Sequence, residues 1–278
     1  MGIDLTGILS MNEYYTQHYL DTILEDDIKD IIKELTETYE NNNAELPWNK
    51  LSKGIRKTYY SKREVLSKEK NLAKRMQNQR EFLLEMYKSL GYEKNNKIEY
   101  IPVKNDIEIP VLHEVKKSNG LPLLWIIETI DEYDDDGELL HSNFKKAQYT
   151  EENPHPKEIK DLDLEKIITE YIFYIDEPPR FILLSNINEI ILIDRGKWSE
   201  KRTLNFKLDD ILSRQIDSTL KAMTVLLHKN TVCPEDDSSF LDKLNENSHK
   251  HATSVSESLK YALRQSIELL GNDAIRYK

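Results

Sequence analysis

The sequence predicts a mixed α/β (α+β) fold, a sheet flanked by helices, and three observations predict it. Over 98–131, apolar β-forming runs are cut by turn chemistry at Lys104-Asn105-Asp106 and Ser118-Asn119-Gly120, which reads as a meander of three short strands. RFILLSN and EIILIDR, on either side of Ile187-Asn188, are almost continuously apolar, the pattern of strands covered on both faces, and residues 203–206 add a third. Around these runs, apolar residues recur at spacings of three and four, the period of helices that bury one face.

Residues 1–16 are of mixed polarity and read as an extended arm. An acid-rich helix follows over about 18–39, with Leu20, Ile23, Leu24, Ile28, Ile31, Ile32 and Leu35 on one side; Asn41-Asn42-Asn43 ends it and Pro47-Trp48 begins a connector. Residues 61–90 read as one long helix or two joined ones, closed by Gly91 where a positive φ is needed. After the meander, the acidic stretch 131–138 imitates the start of a calcium loop, but Asn143 stands where a bidentate Glu must close it, so an acidic turn is expected. The loop continues through Pro154 and Pro156. A helix over 162–175 stops at Pro178-Pro179, another spans 207–227, and a last one spans 254–270 with Gly271 as its cap. That terminal amphipathic helix suggests a chain cut from a longer protein. The order helix, three strands, helix, two strands outlines a restriction-endonuclease-like mixed sheet flanked by helices, with additional N- and C-terminal helices.

Composition narrows the function. With 278 residues and 38% hydrophobic content, the chain can bury one large core or two modest ones. No apolar run approaches the roughly 20 residues that span a bilayer, and no signal peptide opens the chain, so a soluble cytoplasmic protein with no membrane partner is expected. The single Cys233 excludes an internal disulfide framework and disfavours a thiolate zinc site. His228, His249 and His251 with Cys233 lack the spacing of a metal cluster. No phosphate-cradling glycine motif is present.

The net charge is −11, yet residues 50–80 carry eleven Lys or Arg against Glu64 and Glu69. Clustered cations are how a protein meets phosphates. Lys53, Arg56, Lys57, Lys62, Arg63, Lys74 and Arg75 are therefore the candidate contacts to double-stranded DNA.

The chemistry-bearing pattern lies in the meander. On the middle strand, alternation puts Ile107, Ile109, Val111, His113 and Val115 on one side, and Leu112, Glu114 and Lys116 on the other. Glu114 and Lys116 form a (D/E)xK pair, which with a further carboxylate binds Mg²⁺ and activates water in many nucleases. Asp106, eight residues before Glu114, is about 26 Å away on an unbroken strand and joins only if the chain bends at Pro110. A hairpin turning at Asn105-Asp106 brings Glu99 closer, to a diagonal neighbour's distance. Glu128, ending the third strand, is the other candidate. Glu81 and Glu85, one turn apart on the helix before, are weaker ones.

Four blocks carry a resemblance: MGIDLTGIL with NEYYTQHYLDTILEDD, IPVLHEVKKSNGLPLLWIIE, RFILLSNINEIILIDRGKW, and LNENSHKHATSVSESLKYALRQSIELLGNDA. Together they resemble the N-terminal region of type IIG-like restriction-modification or phage-defence proteins that continue into an adenine-specific DNA methyltransferase. The resemblance implies an Mg²⁺-dependent endonuclease in which Glu114 and Lys116 match the (D/E)xK, with Glu99 where an aspartate is usual. It also implies an S-adenosylmethionine-binding methyltransferase domain in a missing C-terminal part, since no (N/D/S)PP(Y/F) motif occurs here. The expected organisation is a helical arm (1–60), a nuclease-like α/β core (61–206) and a helical segment leading to the methyltransferase (207–278). A non-catalytic DNA-binding or docking module is the alternative.

Overall fold

The computed structural model describes residues 3–93, 97–130, 138–235 and 238–276. Of the acidic turn expected over 131–138, residues 131–137 lie outside the described residues, as do Asp236 and Asp237. In chain order the elements are β1 (Ile8–Met11), α1 (Gln17–Thr22), α2 (Leu24–Asn41), α3 (Pro47–Lys50), α4 (Arg56–Lys68), α5 (Leu72–Ser89), β2 (Glu99–Pro102), β3 (Glu108–Val111), β4 (His113–Lys116) and β5 (Pro122–Glu128). There follow α6 (Leu164–Ile167), β6 (Phe181–Ser185), β7 (Glu189–Asp194), β8 (Thr203–Lys207), α7 (Leu208–Arg214), α8 (Asp217–Leu227), α9 (Lys229–Val232) and α10 (Phe240–Arg276).

The chain is mixed α/β. Six strands form one sheet in the order β1-β8-β7-β6-β5-β4, and β2 pairs with β3 in a separate two-stranded sheet. Only β5 and β6 run parallel; the other neighbours in the large sheet are antiparallel. The long connection between β5 and β6, which includes α6, is what a parallel pair requires.

Alternation along the central strands explains their continuous hydrophobicity. Leu124 and Ile126 join Phe181, Leu183 and Leu192 in a core with Leu24, Phe82 and Leu227, whereas Trp125 and Ile127 join Ile182, Leu184 and Ile191 in a second core with Ile109, Val111 and Ile168. Both faces of the sheet are covered, and each fully buried Leu or Ile contributes roughly 2 kcal/mol. The first core draws on all three expected segments, from Ile8 to Leu244.

Several expected elements differ in detail. The opening arm contains β1, which hydrogen-bonds antiparallel to β8. The single helix expected over 207–227 is two, because Gln215 adopts a left-handed φ of 54° between α7 and α8. Residues 61–90 fall in two helices, and Gly91 has the expected positive φ, 86°. The helix expected over 162–175 is the short α6 followed by a π-turn over Ile168–Ile172. The last helix neither begins at 254 nor stops at Gly271: α10 runs for 37 residues, about 55 Å. Its first turns bury Leu241 and Leu244, while Leu259, Leu263, Ile267 and Leu270 are exposed.

The largest correction concerns the middle strand. It breaks at Leu112 into β3 and β4, which belong to different sheets. Ile107, Ile109 and Val111 enter the second core, but Leu112 and Val115 enter the first. The bend inverts which side alternate residues face, so the expected row from Ile107 through Val115 does not form.

Candidate functional site

The hairpin joining β2 to β3 turns through Lys104–Asp106, where Asn105 and Asp106 take left-handed φ values of 62° and 56°. Asn and Asp tolerate that region better than other non-glycine residues. The resulting register sets Glu99 opposite Val111, three residues before Glu114. Asp106, at the far end of the hairpin, stays away from it.

β4 pairs antiparallel with β5, Glu114 opposite Trp125. Cross-strand partners share a face, and here the Trp125 indole Nε1 donates to Glu114 Oε1 at 2.9 Å. The other carboxylate oxygen, Oε2, lies 3.1 Å from Lys116 Nζ. The pairing survives an irregularity between Val115 and Lys116 that sets Lys116 opposite Pro122. Glu114 is only 8% exposed and Lys116 is 55% exposed, so the carboxylate is anchored and the ammonium faces solvent. Hydrogen bonding and charge from Glu114 raise the Lys116 pKa, and the charge of Glu99 adds to the effect.

Glu99, Glu114 and Lys116 line one groove of about 930 Å³, together with Arg80, Lys97, Tyr100, Gln148 and Tyr149. Tyr100 donates its hydroxyl to the Gln148 carbonyl at 2.9 Å, fixing one aromatic wall. A second groove of about 960 Å³ shares Glu114 and Lys116 and runs past Lys117, Lys229 and Arg180.

Glu128 is not brought to Glu114. It stands three residues beyond Trp125 on β5, so its side chain points to the opposite face of the sheet. There it is 2% exposed and accepts from Arg80 Nε at 2.7 Å and from Arg80 Nη2, both on Oε1. Among the described residues, Oε2 has no hydrogen-bond partner. Burial raises the Glu128 pKa, and the charge and hydrogen bonds of Arg80 oppose that rise. Two buried glutamines tie the surrounding strand ends: Gln79 donates to the Thr129 carbonyl at 2.7 Å, and Gln148 to that of Glu128 at 2.8 Å.

The basic helices are partly committed to the protein's own structure. Arg56 donates to the Leu212 carbonyl at 3.0 Å, and Arg75 to that of Leu66 at 2.8 Å. Lys62 bonds Asn78 at 2.9 Å and Glu81 at 2.5 Å, and Arg63 pairs with Asp209 at 2.8 Å. Lys53, Lys57 and Lys74 are exposed.

Among the described residues no three His, Cys, Asp or Glu side chains gather as a metal cluster, and no helix is long and apolar enough to cross a membrane. His228 is buried, shares a 2.9 Å hydrogen bond with the Tyr39 hydroxyl, and has its pKa lowered to about 4 by burial. Sequence reasoning missed Trp125 and Arg80 as partners of the two glutamates. The signal for Arg80 was present, since it lies four residues after Met76 and three before Leu83, in phase with the buried stripe of α5. A cation in that phase needs a partner. No family model, curated protein or solved structure matches this chain.

Proposed function

We propose that this chain is the nuclease-like region of a DNA restriction-modification polypeptide, and that it hydrolyses a phosphodiester of duplex DNA with Mg²⁺ in the groove beside β4. One observation carries the reading: two carboxylates from separate sheets, Glu99 and Glu114, open on the same groove as Lys116. The residues fit the ion. Mg²⁺ takes one or two carboxylates and fills its remaining positions with water and substrate phosphate, so a third acid is not required. Each Glu114 oxygen has one contact, to Trp125 or Lys116, and a carboxylate oxygen has two acceptor sites. Bound there, the ion would supply a water of lowered pKa and neutralise charge on the phosphate.

The chain's own residues do the rest. The Trp125 hydrogen bond holds the Glu114 carboxylate in one orientation. Lys116, charged and half exposed, faces the phosphate oxygens and stabilises the charge that develops on them. On this reading the restriction-endonuclease-like fold describes the mixed sheet with α5 and α6. The S-adenosylmethionine-dependent methyltransferase belongs to another part of the same cytoplasmic polypeptide.

The test is cleavage of duplex DNA in Mg²⁺ or Mn²⁺ by wild type, Lys116→Ala and Glu114→Gln. Wild-type cutting lost in both variants supports the assignment; equal cutting by all three sinks it. A second reading, a module that grips DNA without cutting, draws on the groove's even balance of Arg80, Lys97 and Lys116 against Glu99, Glu114 and Glu152. It expects DNA binding with no Mn²⁺ bound near Glu114, which paramagnetic broadening would detect.

A further inference from the structure

Arg80 and Glu128 are unassigned by the reading above, and their geometry is unusual. A buried carboxylate ordinarily spreads its hydrogen bonds over both oxygens. Here Nε and Nη2 of Arg80 both end on Oε1 of Glu128, and Oε2, although fully buried, has no partner among the described residues. The guanidinium is therefore held by one edge. Nη1 makes no hydrogen bond to any described residue, and Arg80 lines the groove that holds Glu99, Glu114 and Lys116.

A guanidinium carries five N–H donors in a rigid fork, which suits phosphate as well as carboxylate. Fixing it against a buried acid removes most of its rotamer freedom before a ligand arrives, and pre-organisation of that kind strengthens binding. Arg80 is 22% exposed, enough for one edge to meet a ligand. Beside it, Tyr100 and Tyr149, rings 6.0 Å apart, form an aromatic wall of the same groove. The α4 cations differ, because Arg56, Lys62 and Arg63 are bound to protein groups of their own.

We propose that Arg80 is the phosphate anchor of this groove, with Glu128 as its positioning residue: the free edge of the guanidinium takes a backbone phosphate of the DNA strand lying over Glu114 and Lys116. This rests on the reading of the groove as a DNA site. It reassigns Glu128 from metal ligand to support for a cation.

The experiment measures binding of a short fluorescein-labelled duplex in Ca²⁺ across a salt series. Arg80→Ala would leave Glu128 buried and unpaired, so the informative variant is Arg80→Gln with Glu128→Gln, which removes both charges and keeps hydrogen-bonding groups. Thermal unfolding first establishes that it is folded. The expected result is affinity roughly tenfold weaker and a plot of log K against log salt shallower by about 0.9, the signature of one lost phosphate contact. Wild-type binding with an unchanged slope in the double variant, at equal or weaker affinity, overturns the anchor and leaves the hydrolytic reading standing. No binding by wild type overturns both.

Discussion

Two glutamates on neighbouring regions of this sheet each meet one cation, and the two pairs behave differently. Glu114 is nearly buried, but its partner Lys116 is 55% exposed and a second donor, Trp125, satisfies the other oxygen. Glu128 is more deeply buried, its partner Arg80 is only 22% exposed, and among the described residues one of its oxygens is left without a donor. The first pair is an open, adjustable contact beside a groove. The second is a closed one whose components depend on each other. Burial of the cation, more than burial of the acid, decides how far a pair can rearrange: Lys116 can move away from Glu114, whereas Arg80 stays fixed and offers a ligand only the edge it does not give to Glu128.

The most severe way to break this contrast is Arg80→Ala. It strands a carboxylate inside the protein, and unfolding in urea is expected to show a loss of about 3–5 kcal/mol. Replacing both members, Arg80→Leu with Glu128→Leu, is expected to recover most of that loss, since apolar residues substitute well for a buried pair. A double variant as unstable as the single one would show that the pair's geometry matters more than its charge.

Trp125→Phe comes next. It removes the indole donor to Glu114, a hydrogen bond to a charged group, and roughly 2 kcal/mol of stability should go with it. The same variant leaves Glu114 free to swing, so duplex cleavage is expected to fall with it.

The pH response tests the Glu128 pair directly. The Glu128 pKa is raised in the folded protein above its ordinary 4.5. The folded state therefore holds the Glu128 proton more tightly than the unfolded state. This group's contribution is fully present below 4.5 and is lost as pH rises through the folded value. In Arg80→Ala the opposing charge is gone, the folded pKa rises further, and the deficit against wild type should widen with pH. Denaturation at a series of pH values checks it; a deficit that shrinks as pH rises contradicts the assignment.

Lys116→Ala is expected to have the smallest effect on stability. Most of its ammonium is solvated, and an exposed ion pair contributes about 0–1 kcal/mol. A cleavage assay should nevertheless register its loss strongly. A Tm drop as large as that of Trp125→Phe would show that the lysine is a structural partner after all.

Much of this was legible in the residues. The apolar runs of β6 and β7, the turn at Asn105-Asp106 and the positive φ at Gly91 follow from local chemistry, and all three stand where the sequence indicated. The adjacency of Glu114 and Lys116 followed from strand alternation. Two things were not legible. The bend at Leu112 comes from competition between two sheets for one strand, which no alternation pattern within that strand reveals. The irregularity at Val115/Lys116 shifts the hairpin register by a residue, so the identity of Glu114's cross-strand neighbour could not be counted from the turn. Glu128 was misread for a related reason. Ending an apolar run says nothing about which face a side chain takes, and three residues from Trp125 put it on the far one.

β4 is also an outermost strand of the six-stranded sheet, and among the described residues no further strand covers its backbone groups. Such a row is a template for another molecule's strand and hence for clumping. Its four-residue length, its kink near Val115 and a projecting lysine are the devices that discourage it. The ammonium proposed for chemistry would thus also guard the protein against fibre growth, and neutral replacements there should shorten its shelf life in concentrated solution even where melting is unchanged.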